Sequence, residues 1–319
     1  MAVVTVGAHI LDVHARPVPH GPGGPDAVVV VDEIRVTAAG AAAGTAVALA
    51  RLGNDVVSVG AIGDDDLGDL LVTLMSRNGV DVRGLVRRTA AQTAASILPI
   101  PPGGQEGGPP EGHGHPILHA PGANLTLTAG AVGPGLLGAA RLVHLGGPDI
   151  TAGLNDPVFF AMLDAARETG TIVTMDVLSA MPDLLTGAAA FLPHVDHFLP
   201  DDAQAAAMTG EDDPEKAARA LLAQGPRTVI VTLGGDGSLV ATGPADAPAV
   251  HRLPALPVEV ADTTGCGDAY CAGFITGLAH GRDVLESARW GTAAAATVAQ
   301  GLGSGAGLTS LDDVLRLLA

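Results

Sequence analysis

The sequence predicts a layered α/β fold: a mostly parallel sheet covered by helices on both faces, with a small β-rich appendage. Three observations carry this expectation. Of the 319 residues, 47% are hydrophobic but only 2% aromatic, with 44 Gly and 23 Pro, so the apolar content is mainly Ala, Val and Leu between glycine-rich turns. From about Gly44 the chain repeats one grammar: an Ala/Leu-rich helical stretch, a glycine placed to end it, then a short β-branched run. Several of those runs are apolar on both faces, as strands buried inside a parallel sheet are.

Taken in order, Met1 to Gly7 reads as a first buried strand. It lacks the basic residues that open a signal peptide, which points to a cytoplasmic protein. Later strands read as Val56 to Ile62, Arg141 to Leu145, Thr171 to Met175, His197 to Leu199 and Val229 to Leu233. Gly53, Gly79, Gly170, Gly225 and Gly281 sit where helices should end. Two segments break the alternation: Val13 to Val36, centred on Val28-Val29-Val30-Val31, and Thr89 to Thr128. Both read as β-rich lid material, and Pro101 to Pro116, too rich in Gly and Pro to pack a core, reads as a mobile hairpin tip. The expected division is residues 1–12, 37–88 and 129–319 for the main α/β domain, and 13–36 and 89–128 for the lid.

Charge narrows the class of partner. The formal net charge is -18 and Lys216 is the only lysine, which argues against nucleic acid and against an anionic membrane surface. Ala120 to Ala140 and Gly291 to Leu311 reach membrane-spanning length without a charge, but Gly and polar residues interrupt both, so no span is expected. Cys266 and Cys271 lie across a turn and a helix start, where their side chains should diverge, so no disulfide is expected.

The strongest chemical signal is Asp262-Thr263-Thr264-Gly265-Cys266-Gly267-Asp268, followed by Tyr270, Phe274 and Leu278 at helical spacing. A glycine turn therefore feeds a helix N-terminus, where unpaired N–H groups and the helix dipole favour an anion. Asp268, in the first turn, is placed to take a proton from an attacking hydroxyl; the plain alternative is a helix cap. Cys266 reads as a small filler, since no His lies near it in sequence to make it a nucleophile. His113, His115 and His119 lie in or beside the Gly/Pro stretch with no Cys or carboxylate at ligand spacing, so a metal site is not expected there.

This motif with its small-residue helix resembles the signature of the PfkB or ribokinase family of carbohydrate kinases. The resemblance runs in order along nearly the whole chain and implies a ribokinase-like three-layer sandwich with a small β lid. It implies Asp268 as general base and Gly265, Cys266 and Gly267 as anion hole, with ATP and Mg²⁺ as cofactors and a small sugar as substrate. It further implies a monovalent cation, such as K⁺, held through Asp262 and the carbonyl of Thr264. Val231 to Ser238 is similar to the family's nucleotide-binding segment, which assigns Thr232, Gly234 and Gly237 to ATP. The stretch from Gly40 to Thr45, with Gly60 to Gly68, resembles the family's N-terminal pattern and assigns Gly40 and Gly44 to substrate. Two departures stand out: Ala39 replaces the first glycine and Gly44 replaces an asparagine. Asp12, in the loop after the first strand, is the expected ligand of substrate hydroxyls, and Asn124, in Gly122-Ala123-Asn124, a further contact. The family's Asn-x-x-Glu element near ATP and magnesium reads Asp201 to Gln204 here; the alternative is that Asp201 or Asp202 starts a helix. Relatives often pair their lids, so a homodimer through the lid is expected.

Other enzyme classes fit less well. Gly133-Pro134-Gly135-Leu136-Leu137-Gly138 matches a dinucleotide fingerprint as a string, but it precedes a strand where it should follow one. No Gly-Lys-Ser/Thr exists for a P-loop, and the strand lysine of protein kinases is missing. The remaining rivals are a nucleoside kinase of the same family and a non-catalytic sugar- or nucleotide-binding relative. A chain with one Trp, one Tyr and five Phe has little surface to stack a base, which favours a sugar.

Overall fold

The structure, a computed structural model, describes residues 2–19, 28–101, 117–133 and 135–319. Strand β1 (Val3–Gly7) is buried throughout, and the chain runs on through Ala8 and His9 into β2 (Ile10–Arg16) of a second sheet. Strand β3 (Glu33–Ala39) returns antiparallel to β2, with Arg16 opposite Glu33 and Ile10 opposite Ala39. Helix α1 (Ala41–Arg51), strand β4 (Val56–Gly63), helix α2 (Asp66–Arg77) and strand β5 (Asp81–Arg88) follow. Strands β6 (Ala95–Pro99) and β7 (Leu118–Ala120) complete the small sheet in the order β3-β2-β6-β7.

The second half alternates regularly. It runs α3 (Leu136–Ala139), β8 (Leu142–Gly146), α4 (Pro157–Glu168), β9 (Ile172–Asp176), α5 (Pro182–Ala189) and β10 (His197–Phe198). Then come α6 (Asp202–Thr209), α7 (Pro214–Leu222), β11 (Thr228–Thr232), β12 (Ser238–Thr242) and β13 (Ala249–Leu253). Helices α8 (Cys266–Ala279), α9 (Val284–Ala299) and α10 (Leu311–Arg316) close the chain. The large sheet has the order β13-β12-β11-β10-β9-β8-β1-β4-β5. All pairings from β5 to β11 are parallel, and β12 and β13 are added antiparallel at one edge.

The mostly parallel sheet covered on both faces is thus the fold that the sequence predicts. Successive residues of β1 divide between two cores, as the period of two requires: Val4 and Val6 join Phe159, Phe191 and Phe198, while Val3 joins Leu49, Phe274 and Ile275. Each such side chain, fully buried, contributes about 1.5–3 kcal/mol. All five helix-ending glycines adopt positive φ, from 72° to 136°. The two cysteines are free, and no described helix is long and apolar enough to cross a membrane.

Some local expectations change. Val28 to Val31 are not a strand: Val28 and Val30 are each 88% exposed, and pairing begins only at Glu33, where Arg16 lies opposite and bonds it. Apolar β-branched residues favour a strand only where a partner strand accepts them. Asp12 lies inside β2, between Thr37 and Ser96 of its neighbours, and not in a loop. The expected hairpin tip falls largely at residues 102–116, outside the described residues, along with His113 and His115. His119 is hydrogen-bonded through Nδ1 to Ser96 Oγ at 3.1 Å.

What positions the site is the seat of α8. Added at Gly273, a Cβ would lie 2.5 Å from the Trp290 carbonyl oxygen, and at Gly277 2.7 Å from Ser287 Cα, so these glycines let α8 and α9 close against each other. The N-terminus of α8 is thereby held where Asp176 ends β9, Asp201 follows β10 and Thr232 ends β11. That is the carboxyl end of the parallel strands, where open α/β sheets place ligands.

Candidate active site

Helix α8 begins at Gly265, whose φ of 78° lies in the left-handed region, and a Cβ there would sit 2.7 Å from Ser304 Cα. No side chain caps the helix. The Cys266 amide donates to the Thr263 carbonyl at 3.1 Å and Ala269 to Gly265 at 3.0 Å. The amide of Gly265, just before the helix, and those of Gly267 and Asp268 within it have no protein acceptor among the described residues. A 14-residue helix therefore presents two free N–H donors and its positive dipole end, a ready place for an oxyanion. The Cys266 amide, expected to share in this, is used within the turn.

Asp268 points at Gly44 of α1. A Cβ on Gly44 would lie 2.0 Å from Asp268 Oδ2, so the missing side chain makes the room that the carboxylate occupies. Thr45 Oγ1 donates to the Asp268 backbone carbonyl at 3.4 Å. Asp268 retains partial exposure to solvent, but the protein atoms crowding it, then the carboxylates of Asp176 and Asp12, raise its pKa well above the ordinary carboxylate range. A carboxyl so placed is suited to accepting a proton near neutral pH.

The carboxylate opens on a cavity lined by Asp12, Gly40, Asp176, Asp201, Thr264 and Asp268, among others. Burial lifts the Asp12 pKa to about 6, a hydrogen bond from Ser96 opposes this, and Asp262 adds to it. Asp12 Oδ1 is buried without a hydrogen-bond partner in the described structure, as is Asp176 Oδ1. Asp176 faces His144 Nε2 at 3.4 Å and Cys271 Sγ at 3.8 Å. The ligand atoms of His144, Asp176 and Cys271 lie within 4.8 Å of one another, near enough to chelate a soft divalent cation. Burial, with the charges of Asp176 and Asp268, pushes the Cys271 thiol well above its usual pKa, so without a cation it stays a thiol.

A second, mainly apolar cleft is lined by Thr232, Gly234, Gly237, Leu256, Val260 and Ala296 with others. It adjoins the first, and both include Thr232, Gly267 and Tyr270. Tyr270 OH pairs with Ser238 Oγ at 2.9 Å, which fixes the ring at the junction. Cys266 borders the apolar cleft with its thiol held protonated, at a pKa of about 12, by burial and the charges of Asp262 and Asp268. Gly267 therefore stands where an apolar cleft, a carboxylate-lined cavity and two free amides meet.

Three expected site residues are occupied elsewhere. Asn124 is fully buried: its Oδ1 accepts from the His9 amide at 3.0 Å and its Nδ2 donates to the His9 carbonyl at 3.1 Å. Both ends of the amide clamp the β1-β2 connection, so a substrate contact from Asn124 is corrected to a structural tie. Gln204 forms a capping box with Asp201, and its Nε2 donates to the Val177 carbonyl at 2.9 Å. Its side-chain amide is thus engaged at both ends in local structure; Asp201, the other half of the box, caps α6, and both residues border the cavity. Asp262 is fully buried and accepts from the Thr264 amide and hydroxyl and from the Gly303 amide, at 2.7–3.0 Å. It serves to join the turn before α8 to the loop after α9.

Asp176 and His144 escape the sequence reading. The signal was present in part: Asp176 is an acidic residue ending a buried parallel strand, one position beyond where the apolar run stops.

Three comparisons bear on this geometry. The family model described as pfkB family carbohydrate kinase matches residues 2–105 and 117–311. Fructokinase-2 of Zea mays is 26% identical over 255 residues, covering 78% of this chain and 73% of the relative. The 2-dehydro-3-deoxygluconokinase of Bacillus subtilis (strain 168) is 27% identical over 291 residues, covering 88% and 86%. The ribokinase of Thermotoga maritima superposes with a TM-score of 0.78 at 25% identity, covering 99% of both chains, so the architecture is ribokinase-like.

Proposed function

Because this chain belongs to the pfkB family of carbohydrate kinases, we propose that it transfers the γ-phosphoryl group of ATP to a hydroxyl of a small sugar. The observation that carries the reading is the meeting of two clefts beside Asp268 and the free amides at the start of α8. ATP would lie along the apolar cleft past Thr232, Gly234 and Gly237, with its terminal phosphate toward Gly267. The sugar would lie in the carboxylate cavity on Asp12, against Gly40, while Gly44, expected to touch the substrate, instead makes room for the Asp268 carboxylate. Asp268 takes the hydroxyl proton as that oxygen forms its bond to the γ-phosphorus, the bond from phosphorus to the β–γ bridging oxygen breaks, and ADP leaves. The amides of Gly267 and Asp268 donate to the transferring phosphoryl oxygens. Mg²⁺ supplies charge neutralisation on the phosphates when bound; the oxygen-only donor Asp201, bordering the cavity, suits a hydrated ion. Among the described residues the one aromatic side chain lining the acceptor cavity is Tyr270, whose hydroxyl is bound to Ser238, which favours a sugar over a nucleoside. The test is magnesium-dependent ADP release over a panel of sugars and nucleosides; release that no added acceptor stimulates would leave only a binding role.

The pH dependence of acceptor binding follows from Asp12. As a carboxylate it accepts hydroxyl donors, and burial raises its pKa to about 6, so the accepting form is lost as pH falls through that value. Acceptor KM is expected to rise below pH 6, by up to about tenfold per unit, and Asp12→Asn should abolish that dependence. An acceptor KM flat between pH 5 and 7 would remove Asp12 from the binding role.

The same family reading extends to assembly. Val13 lies beside Val36 and Ile97, and Ile97 beside Leu118, so these residues share one face of the small sheet, with Ile34 along the same face. Ile34 is 66%, Ile97 49% and Leu118 58% exposed, an apolar face that a second copy of the chain would cover. Light scattering should report a dimer, and Ile97→Asp a monomer; a monomeric parent protein would refute the pairing.

A further inference from the structure

We infer that the acceptor is an uncharged polyhydroxy sugar, gripped by Asp176 as well as Asp12, and that sugar phosphates and sugar acids are rejected. The inference rests on the phosphoryl-transfer reading for the reaction but on the cavity alone for the charge of its occupant.

Among the described residues four carboxylates, Asp12, Asp176, Asp201 and Asp268, line the cavity, and no lysine or arginine does. The chain has 16 such cations, and none falls outside the described residues. Those on the small sheet are committed elsewhere: Arg16 and Arg35 both bond Glu33, and Arg35 also donates to the Leu302 carbonyl. Arg51 of α1 donates to Asn78 and to the Gly305 carbonyl, and Arg88 of β5 to Thr126. The donors that favour an anion are the free amides of α8, and one transferring phosphoryl group occupies them. An acceptor bearing its own phosphate or carboxylate would face three further carboxylates without a compensating cation.

What the cavity offers instead is hydrogen-bond acceptors, and a neutral sugar is a cluster of hydroxyl donors. Asp12 Oδ1 and Asp176 Oδ1 are both buried and unpartnered, a state that costs free energy until a donor arrives. Behind Asp176 lies a likewise buried histidine. His144 of β8 pairs in register with Thr174 of β9, and its Nδ1 bonds Thr174 Oγ1 at 3.0 Å. The other ring nitrogen is thereby set 3.4 Å from Asp176 Oδ1 without forming a hydrogen bond to it, so that oxygen remains able to accept from an occupant of the cavity. The inference also separates the relatives: the cavity suits the neutral sugar that a fructokinase takes its name from, and not the acid that a 2-dehydro-3-deoxygluconokinase takes its name from.

The experiment measures calorimetric binding and ADP release for fructose and ribose against fructose 6-phosphate and 2-dehydro-3-deoxygluconate. A neutral sugar should exceed both anions about 100-fold or more in kcat/KM and in affinity. An anion bound or turned over as well as the better neutral sugar overturns the inference. If no acceptor is turned over but a neutral sugar still binds more tightly than the anions, the phosphoryl-transfer reading fails and the inference stands; binding of neither class overturns both. Asp176→Asn, checked for an unchanged melting profile, should raise the acceptor KM about tenfold, leave the ATP KM unchanged and narrow the gap between neutral and anionic acceptors. An unchanged acceptor KM would remove Asp176 from the contact.

Discussion

Replacing Asp268 by Asn is expected to lower kcat by about 10²–10⁴-fold, the usual contribution of a positioned general base, while ATP still binds. The substitution keeps size and shape, so the turn at Gly265, the free amides of Gly267 and Asp268 and the junction at Tyr270 should persist. What is lost is proton acceptance. Asp268 is unusually suited to it because crowding by protein, with Asp176 and Asp12 nearby, raises its pKa. The sign follows directly: a base with a raised pKa is inactive when protonated, so parent activity should fall with decreasing pH at values above the ordinary carboxylate range. The variant should retain nucleotide binding by calorimetry and show sugar-stimulated ADP release near background. Turnover within about tenfold of the parent would place the base elsewhere, since even modest base catalysis exceeds that factor.

The fold was largely legible because its signals are local. A glycine after an Ala/Leu-rich run ends a helix whatever surrounds it, and all five such glycines do so. The start of α8 was equally readable, since Gly265 and the residues after it form turn, cap and first helical turn within one stretch of sequence. Where the reading missed, the deciding contact spans a long separation. Asn124 reads as a polar residue in a short motif, yet it is spent on the backbone of His9, 115 positions away. Gln204 reads as an altered magnesium element, but its amide is taken by Asp201 and Val177. Asp176 acquires meaning only from His144 on the neighbouring strand and Cys271 on α8. Val28 to Val31 carry strand propensity but pair with no strand among the described residues, which propensity cannot report.

Gly44 tests the working position of the Asp268 carboxylate, because a single methyl group should separate stability from activity there. In sequence Gly44 looks like the loss of an asparagine from a recognised pattern, and in α1 it looks like a destabilising residue, since glycine inside a helix costs roughly 0.5–1 kcal/mol relative to alanine. The structure supplies a reason for both. A Cβ at this position would come within 2.0 Å of Asp268 Oδ2 and 2.8 Å of its Cγ, closer than any relaxed contact. In Gly44→Ala the helix gains propensity, and the clash is relieved by turning the Asp268 carboxylate away from the acceptor. Melting temperature should therefore change by only a few degrees, because the two effects oppose each other within about 1 kcal/mol. Catalysis has no such offset: displacing a base by about 1 Å typically costs on the order of 10²-fold, so kcat/KM should fall by that factor with ATP binding intact. A Gly44→Ala protein as active as its parent would mean that Asp268 does not work from the position it occupies here, and the proton-transfer assignment would have to move with it.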